Sequence, residues 1–183
     1  MIYKNFADKK LSALGLGCMR LPVQEDKSVD MAATREMVAY AMKHGINYYD
    51  TAWGYHDGKS EIVMGEILAD YPRESFYLAT KFPGYDVSNM EKVEEIFEKQ
   101  LEKCGVEYFD FYLFHNLSER NVDLYLDPKF GILDYLLRQK ANGRIRVKRR
   151  NRVEVKQIVR LRQHIFYARA EDEACVHSQY SLL

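Results

Sequence analysis

Cysteine is scarce in this chain: 183 residues hold three, Cys18, Cys104 and Cys175, with no C-x-x-C pair among them. That spacing offers neither a disulfide framework nor a zinc site, and the expected compartment is the reducing cytosol. Long apolar runs are missing too. The start, MIYKNFADKK, has no hydrophobic leader core, and no stretch approaches the roughly 20 apolar residues needed to cross a bilayer. Neither targeting nor anchoring is therefore expected. No low-complexity tract interrupts the chain, and neither a G-x-G-x-x-G turn nor a Walker loop supplies a ready phosphate cradle. Net charge is absent as well, since 27 basic residues balance 27 acidic ones.

The balance conceals a break. From Met1 to Gly143 there are 17 Lys and Arg against 23 Asp and Glu, a net of −6; from Arg144 onward there are 10 against 4, a net of +6. An acidic body thus carries a basic tail. With 47% apolar residues, the body can bury a core of ordinary globular type.

The body alternates in period. Residues 1–10 read as a β-hairpin turning at Ala7 and Asp8, and Leu14 to Gly17 as a first strand ending in small residues that let a ligand approach the backbone. Asp30 opens a helix with Thr34, Met37, Val38, Ala41 and Met42 on one face, and Gly45 ends it. A short strand, INYYD, follows. The alternation then repeats as helix from Ser60, strand Phe76 to Lys81, helix Asn89 to Cys104, strand Phe109 to Phe114 and helix Gly131 to Asn142. Phe109 to Phe114 is apolar at nearly every position, as expected where both faces of a sheet are covered. Cys18 reads as packing, since no neighbouring cation would lower its pKa.

The stretch YDTAWGYHDGKSE, Tyr49 to Glu61, places a carboxylate (Asp50), a phenol (Tyr55) and a helix start within a dozen residues. In a parallel α/β barrel the C-terminal ends of the strands form the catalytic face. Lys81 ends the next strand-like run, in ATKFP, and His115 the one after, in DFYLFHN. Each alone has an ordinary structural explanation: a capping Asp, a packed loop Tyr, a solvated Lys, a satisfied His. Together, in order and each at or just beyond a strand end, with GLGCMRLP upstream, they resemble the aldo-keto reductase family from Met1 to about Ile145. The wording is most similar to a branch whose members often carry a C-terminal iron–sulfur module. The cysteines of that module are absent, so no iron–sulfur cluster and no other metal site is expected.

The resemblance implies an α/β fold, an incomplete TIM (βα)8 barrel consisting of an N-terminal hairpin that closes the barrel floor and about four βα units. It also implies nicotinamide-dependent reduction of a small-molecule carbonyl, with NADP(H) or NAD(H) as cofactor. The residues fit those roles chemically. A phenol titrates near 10 unaided, so Tyr55 needs a nearby cation to act as an acid near neutrality, and Lys81 would supply it. Asp50 would hold the ammonium, and a neutral His115 would bond and orient the substrate oxygen. Gly17, Cys18, Met19 and Asp50 are the candidate cofactor contacts; Trp53 and His56 are candidates for the substrate mouth. The loops after the fifth, seventh and eighth strands, which in this family hold most of the dinucleotide, have no counterpart here. Little or no activity is therefore expected.

After Arg146 the rhythm stops. The tail, residues 146–183, reads as disordered or loosely helical, because Lys148, Arg149, Arg150 and Arg152 stand where a fifth strand should be buried, and unpaired charges resist burial. A truncation or reading-frame shift near Arg146 accounts for the change of charge, the lost rhythm and the early stop together. The alternatives are a private extension and a non-enzymatic fragment or basic-tail binding module, with Val155, Ile158, Val159, Ile165 and Phe166 sharing one helical face. Composition favours neither nucleic acid nor membrane as partner. Open edges on the first and fourth parallel strands would favour self-association.

Overall fold

The computed structural model describes residues 1–118, 120–146 and 180–182. The chain begins with a hairpin, β1 (Tyr3–Phe6) and β2 (Lys9–Ser12), paired antiparallel from Tyr3↔Ser12 to Phe6↔Lys9. Ala7 takes a left-handed φ of 53° in its turn. Phe6 packs against Phe111 at 5.9 Å between ring centroids, and Tyr48 and Tyr77 meet the same ring edge-on at 5.4 and 6.3 Å. The hairpin thereby covers the N-terminal end of the strands, as a barrel floor does.

The main sheet follows the order β3 (Leu16–Gly17), β4 (Tyr48–Asp50), β5 (Tyr77–Phe82), β6 (Phe111–His115) and β7 (Tyr180–Leu182). The first four run parallel. They are joined by α1 (Met31–Lys43), α2 (Ser60–Leu68) and α3 (Val93–Cys104), and β6 is followed by a short α4 (Val122–Tyr125) and by α5 (Ile132–Ala141). All five residues of β6 are buried, which explains their apolar run. This is an incomplete α/β barrel. No helix among the described residues is long and apolar enough to cross a membrane.

The local signals act where they stand. Asp30 caps α1 by accepting the Ala33 amide at 2.9 Å, and Gly45, at φ 83°, follows its end. The helix expected from Asn89 starts later: Asp86 accepts the Ser88 amide and opens a 3-10 turn, Val87–Lys92, that delays α3 to Val93. Helices α2 and α3 touch backbone to backbone at Gly65, where a Cβ would lie 2.6 Å from the Cys104 carbonyl carbon. Gly65→Ala must therefore push the helices apart. A loss of roughly 1–3 kcal/mol is expected, read as a lower urea midpoint; an unchanged midpoint would refute this contact.

One register detail positions the site. Strand β4 pairs with β5 only from Tyr48↔Tyr77 to Asp50↔Ala79, and the Thr51 amide makes the last ladder bond, to the Ala79 carbonyl, at 2.9 Å. Beyond it β5 runs on beside β6 as far as Phe82↔Phe114. The chain after Thr51 turns away and brings Tyr55 back over the gap.

The structure corrects the expectation of an open outer edge on the fourth parallel strand. Phe109 and Ile145 form a parallel bridge, with the Arg146 amide donating to the Phe109 carbonyl at 3.0 Å. Farther along, β7 pairs antiparallel with β6 from Leu113↔Leu182 to His115↔Tyr180. Tyr180–Leu182 is thus extended and paired, where the tail as a whole was expected to be disordered or loosely helical. Unpaired N–H and C=O groups on an apolar edge are a template for any strand in reach, and an antiparallel partner needs no crossover helix. The expectation for residues 147–179 falls outside the described residues.

Candidate active site

The ends of β4, β5 and β6 and the loop after β4 converge at the gap between β4 and β5. Lys81 is fully buried, and its Nζ donates to Asp50 Oδ1 at 2.6 Å, to the Thr51 carbonyl at 2.7 Å and to the Tyr55 hydroxyl at 3.2 Å. Asp50 is steadied from its other side by the Tyr48 hydroxyl, 3.3 Å from Oδ2. The Tyr55 ring meets the His115 ring edge-on at 5.8 Å. Sequence order alone had separated these residues by as many as 65 positions, from Asp50 to His115; parallel strands bring them together because each stands at the same end of its own strand.

Burial sets the electrostatics. It pulls the Lys81 ammonium below its usual pKa, and the Asp50 carboxylate pulls in the opposite direction. His115 is pushed down to about 4, first by burial and then by the Lys81 charge. Among the described residues its Nδ1 is buried without a hydrogen-bond partner, which is uncommon for a polar atom and typical of a functional site. The Cys18 thiol is pushed up to about 12, chiefly by burial and then by Asp50, so its place is in the packing.

His115 therefore stays neutral through physiological pH. Since its folded value lies below the unfolded one near 6.5, protonation favours the unfolded chain. The stability that results is fully present above about pH 6.5 and is lost as the pH falls toward 4. A histidine NMR titration should find the His115 midpoint well below the usual histidine value near 6.5. A midpoint near 6.5 would contradict the burial argument.

The remaining candidates are distributed as follows. Gly17 pairs in register with Asp50 and is exposed, and a Cβ there would meet nothing within 4 Å, so open space lies over its backbone beside the cluster. Met19 is 56% exposed, while Cys18 is buried with its carbonyl taken by the Ser60 hydroxyl at 2.9 Å. Gly17 and Met19 are thus exposed beside the cluster, while Asp50 and Cys18 are buried. Trp53 lies under the Lys103 ammonium, 4.0 Å from its ring centroid. His56 accepts the Leu21 amide on Nε2 at 2.9 Å, fastening the Tyr55 loop to the segment after β3.

Three participants were not visible in sequence. Thr51 acts through its carbonyl, which carries no side-chain signal. Tyr85 stands edge-on to His115 at 4.9 Å, and a Cβ on Gly54 would fall 2.7 Å from its hydroxyl, so it flanks the same opening. Its position soon after Lys81, in KFPGY, was the available clue. The third is a buried polar group behind β5: Glu61, Thr80 and Gln100.

A partial parallel barrel with a buried Lys–Asp pair, a phenol and a neutral imidazole at its strand ends defines a class of oxidoreductase folds. The sequence profile of the aldo/keto reductase family matches residues 13–166, and the chain belongs to that family. The match extends 20 residues past Arg146. Among relatives, a probable aldo-keto reductase 1 of Glycine max is 32% identical over 123 residues, covering 60% of this chain and 34% of its own length. The NADH-specific methylglyoxal reductase of Escherichia coli K12 is 26% identical over 196 aligned residues, covering 96% of this chain and 57% of its own. Among solved structures, the holo form of aldo-keto reductase AKR11C1 from Bacillus halodurans superimposes with a TM-score of 0.63 at 26% identity, over 80% of this chain and 48% of that one. The chain spans a third to somewhat over half of the relatives it matches.

Proposed function

We propose that this site serves nicotinamide-dependent reduction of a small carbonyl substrate, with Tyr55 as the proton donor. The observation that carries the reading is the position of one buried ammonium, 2.6 Å from Asp50 and 3.2 Å from the Tyr55 hydroxyl. When bound, NADP(H) or NAD(H) supplies the hydride. Tyr55 gives its proton to the substrate oxygen, and the phenolate left behind faces the Lys81 ammonium, which stabilises it. Asp50 and the Thr51 carbonyl keep that ammonium aimed. His115, neutral, bonds and orients the substrate oxygen. Gly17 and Met19 are the exposed residues of this half that would meet the cofactor beside Asp50, with Cys18 packed behind them; Tyr85 borders the substrate mouth, and Trp53 and His56 hold the loop that carries Tyr55. The methylglyoxal reductase named among the relatives supports a small dicarbonyl as the first substrate to try.

The test titrates the protein into NADPH and, separately, NADH, following nicotinamide fluorescence, and then adds methylglyoxal and follows oxidation. Perturbed fluorescence with little turnover is expected, since most of the dinucleotide loops have no counterpart in this chain. Unperturbed fluorescence with both cofactors, together with no turnover, would overturn the reading.

A further inference from the structure

Behind β5, on the face away from Lys81, three buried polar side chains close on one another. Glu61 of α2 is fully buried, and its Oε1 accepts from the Thr80 hydroxyl at 2.7 Å and from Gln100 Nε2 at 2.6 Å. Lys103 Nζ stands 3.5 Å from its Oε2. Gln100 of α3 is equally buried and is held at its other end by the Tyr112 hydroxyl, which donates to Oε1 at 2.5 Å. Burying three such groups is costly unless something is gained.

The gain lies in where Gln100 points. Its Nε2 also donates to the Lys81 carbonyl at 3.1 Å. In β5 the carbonyls of alternate residues face β4, and that of Ala79 makes the last ladder bond with it. The Lys81 carbonyl faces the same way, but β4 has already turned aside to carry Thr51 and Tyr55 over the gap. Gln100 supplies the donor that the missing strand residue would have supplied. We propose that Glu61 and Gln100 are positioning residues for Lys81: Glu61 aims the Gln100 amide, and the amide pins the Lys81 backbone where the ladder ends.

The Thr80 hydroxyl, the Gln100 amide and the Lys103 ammonium all turn donors toward the Glu61 carboxyl. Burial is the largest influence and raises its pKa on balance, while Thr80, Gln100 and Lys103 pull in the opposite direction; in the ionised form its carboxylate faces those three donors. Its charge acts through the strand to keep the Lys81 ammonium protonated, a smaller contribution than that of Asp50.

The inference rests on the proposed reductase reading for what Lys81 is held to do, but its test needs no cofactor. The full chain is labelled with 15N at lysine Nζ, the Lys81 signal is assigned by its loss in Lys81→Arg, and it is titrated. Glu61→Gln, nearly isosteric, should lower the Lys81 midpoint by about half a pH unit. Gln100→Met, which removes the bond to the carbonyl, should shift the Lys81 resonance and, where turnover is measurable, lower kcat about tenfold with KM unchanged. Thr80→Val removes one donor to Glu61 and one acceptor of Gln100 Nε2 but keeps the Glu61 carboxyl and the Gln100 bonds to it and to the Lys81 carbonyl, and should move the midpoint less than Glu61→Gln does. A Lys81 midpoint unmoved in folded Glu61→Gln, or moved equally in Thr80→Val, would overturn the inference and assign the cluster to packing alone. Should Glu61→Gln fail to fold, an unaltered Lys81 resonance in Gln100→Met overturns it equally. A wild-type chain without nicotinamide-dependent turnover would instead sink the reductase reading and leave the Lys81 titration to decide this one.

Discussion

Tyr55→Phe is expected to lower carbonyl reduction by roughly 10²- to 10⁴-fold, the range over which a positioned acid contributes to a proton-transfer step. Nicotinamide binding should survive, because the phenol hydroxyl is the only group removed and the ring remains packed edge-on to His115. The fold should survive too. The change removes the hydroxyl's bond with Lys81, whose Nζ keeps Asp50 and the Thr51 carbonyl, a cost of about 1 kcal/mol. Steady-state turnover, nicotinamide fluorescence and a thermal melt on the same preparation separate these effects. Turnover equal to that of the wild type would remove Tyr55 from the mechanism.

Lys81→Met should act on the fold first. The ammonium is fully buried and the Asp50 side chain 11% exposed, so an apolar side chain of similar length leaves the carboxylate with the Tyr48 hydroxyl as its described side-chain partner. Breaking a buried pair from one side costs roughly 3–5 kcal/mol, which for a domain of this size lowers Tm by about 10 °C. Adding Asp50→Asn should recover a good part of the loss, since it removes the stranded charge. The coupling from this double-mutant cycle is the measured quantity, and additive effects would show that the two residues do not act as a pair.

Much of the fold was legible because its signals are local. Asp30 and Gly45 bracket α1 by their own chemistry, and the apolar run of β6 follows from burial on both faces. The four site residues were legible from position, each at or just beyond a strand end. What stayed hidden depends on partners far away in the chain. On α3 the buried face reads as Val93, Ile96, Phe97, Leu101 and Cys104; Gln100 joins them only because Glu61, Thr80 and Tyr112 arrive from three other elements. Glu61 looks like an acid in the first turn of a helix, where exposure is the ordinary outcome, and it is fully buried. The delayed start of α3 turned on one Asx bond at Asp86. Strand β7 carries no period of its own over three residues, and its pairing is dictated by the edge it meets.

The short ladder between β4 and β5 has an evolutionary consequence. In most enzymes the reactive groups are held against the interests of the fold, and replacing them raises stability at the expense of rate. Here the sheet stops hydrogen-bonding one step before the chemistry, and the seam beyond is stitched by the Lys81 ammonium on one face and the Gln100 amide on the other. A substitution that silences Lys81 also unpicks the seam. Selection for folding alone would therefore preserve Lys81 and Asp50 for some time after selection for turnover had lapsed, so that the presence of this pair in a diverging copy is better evidence of an intact fold than of continuing use.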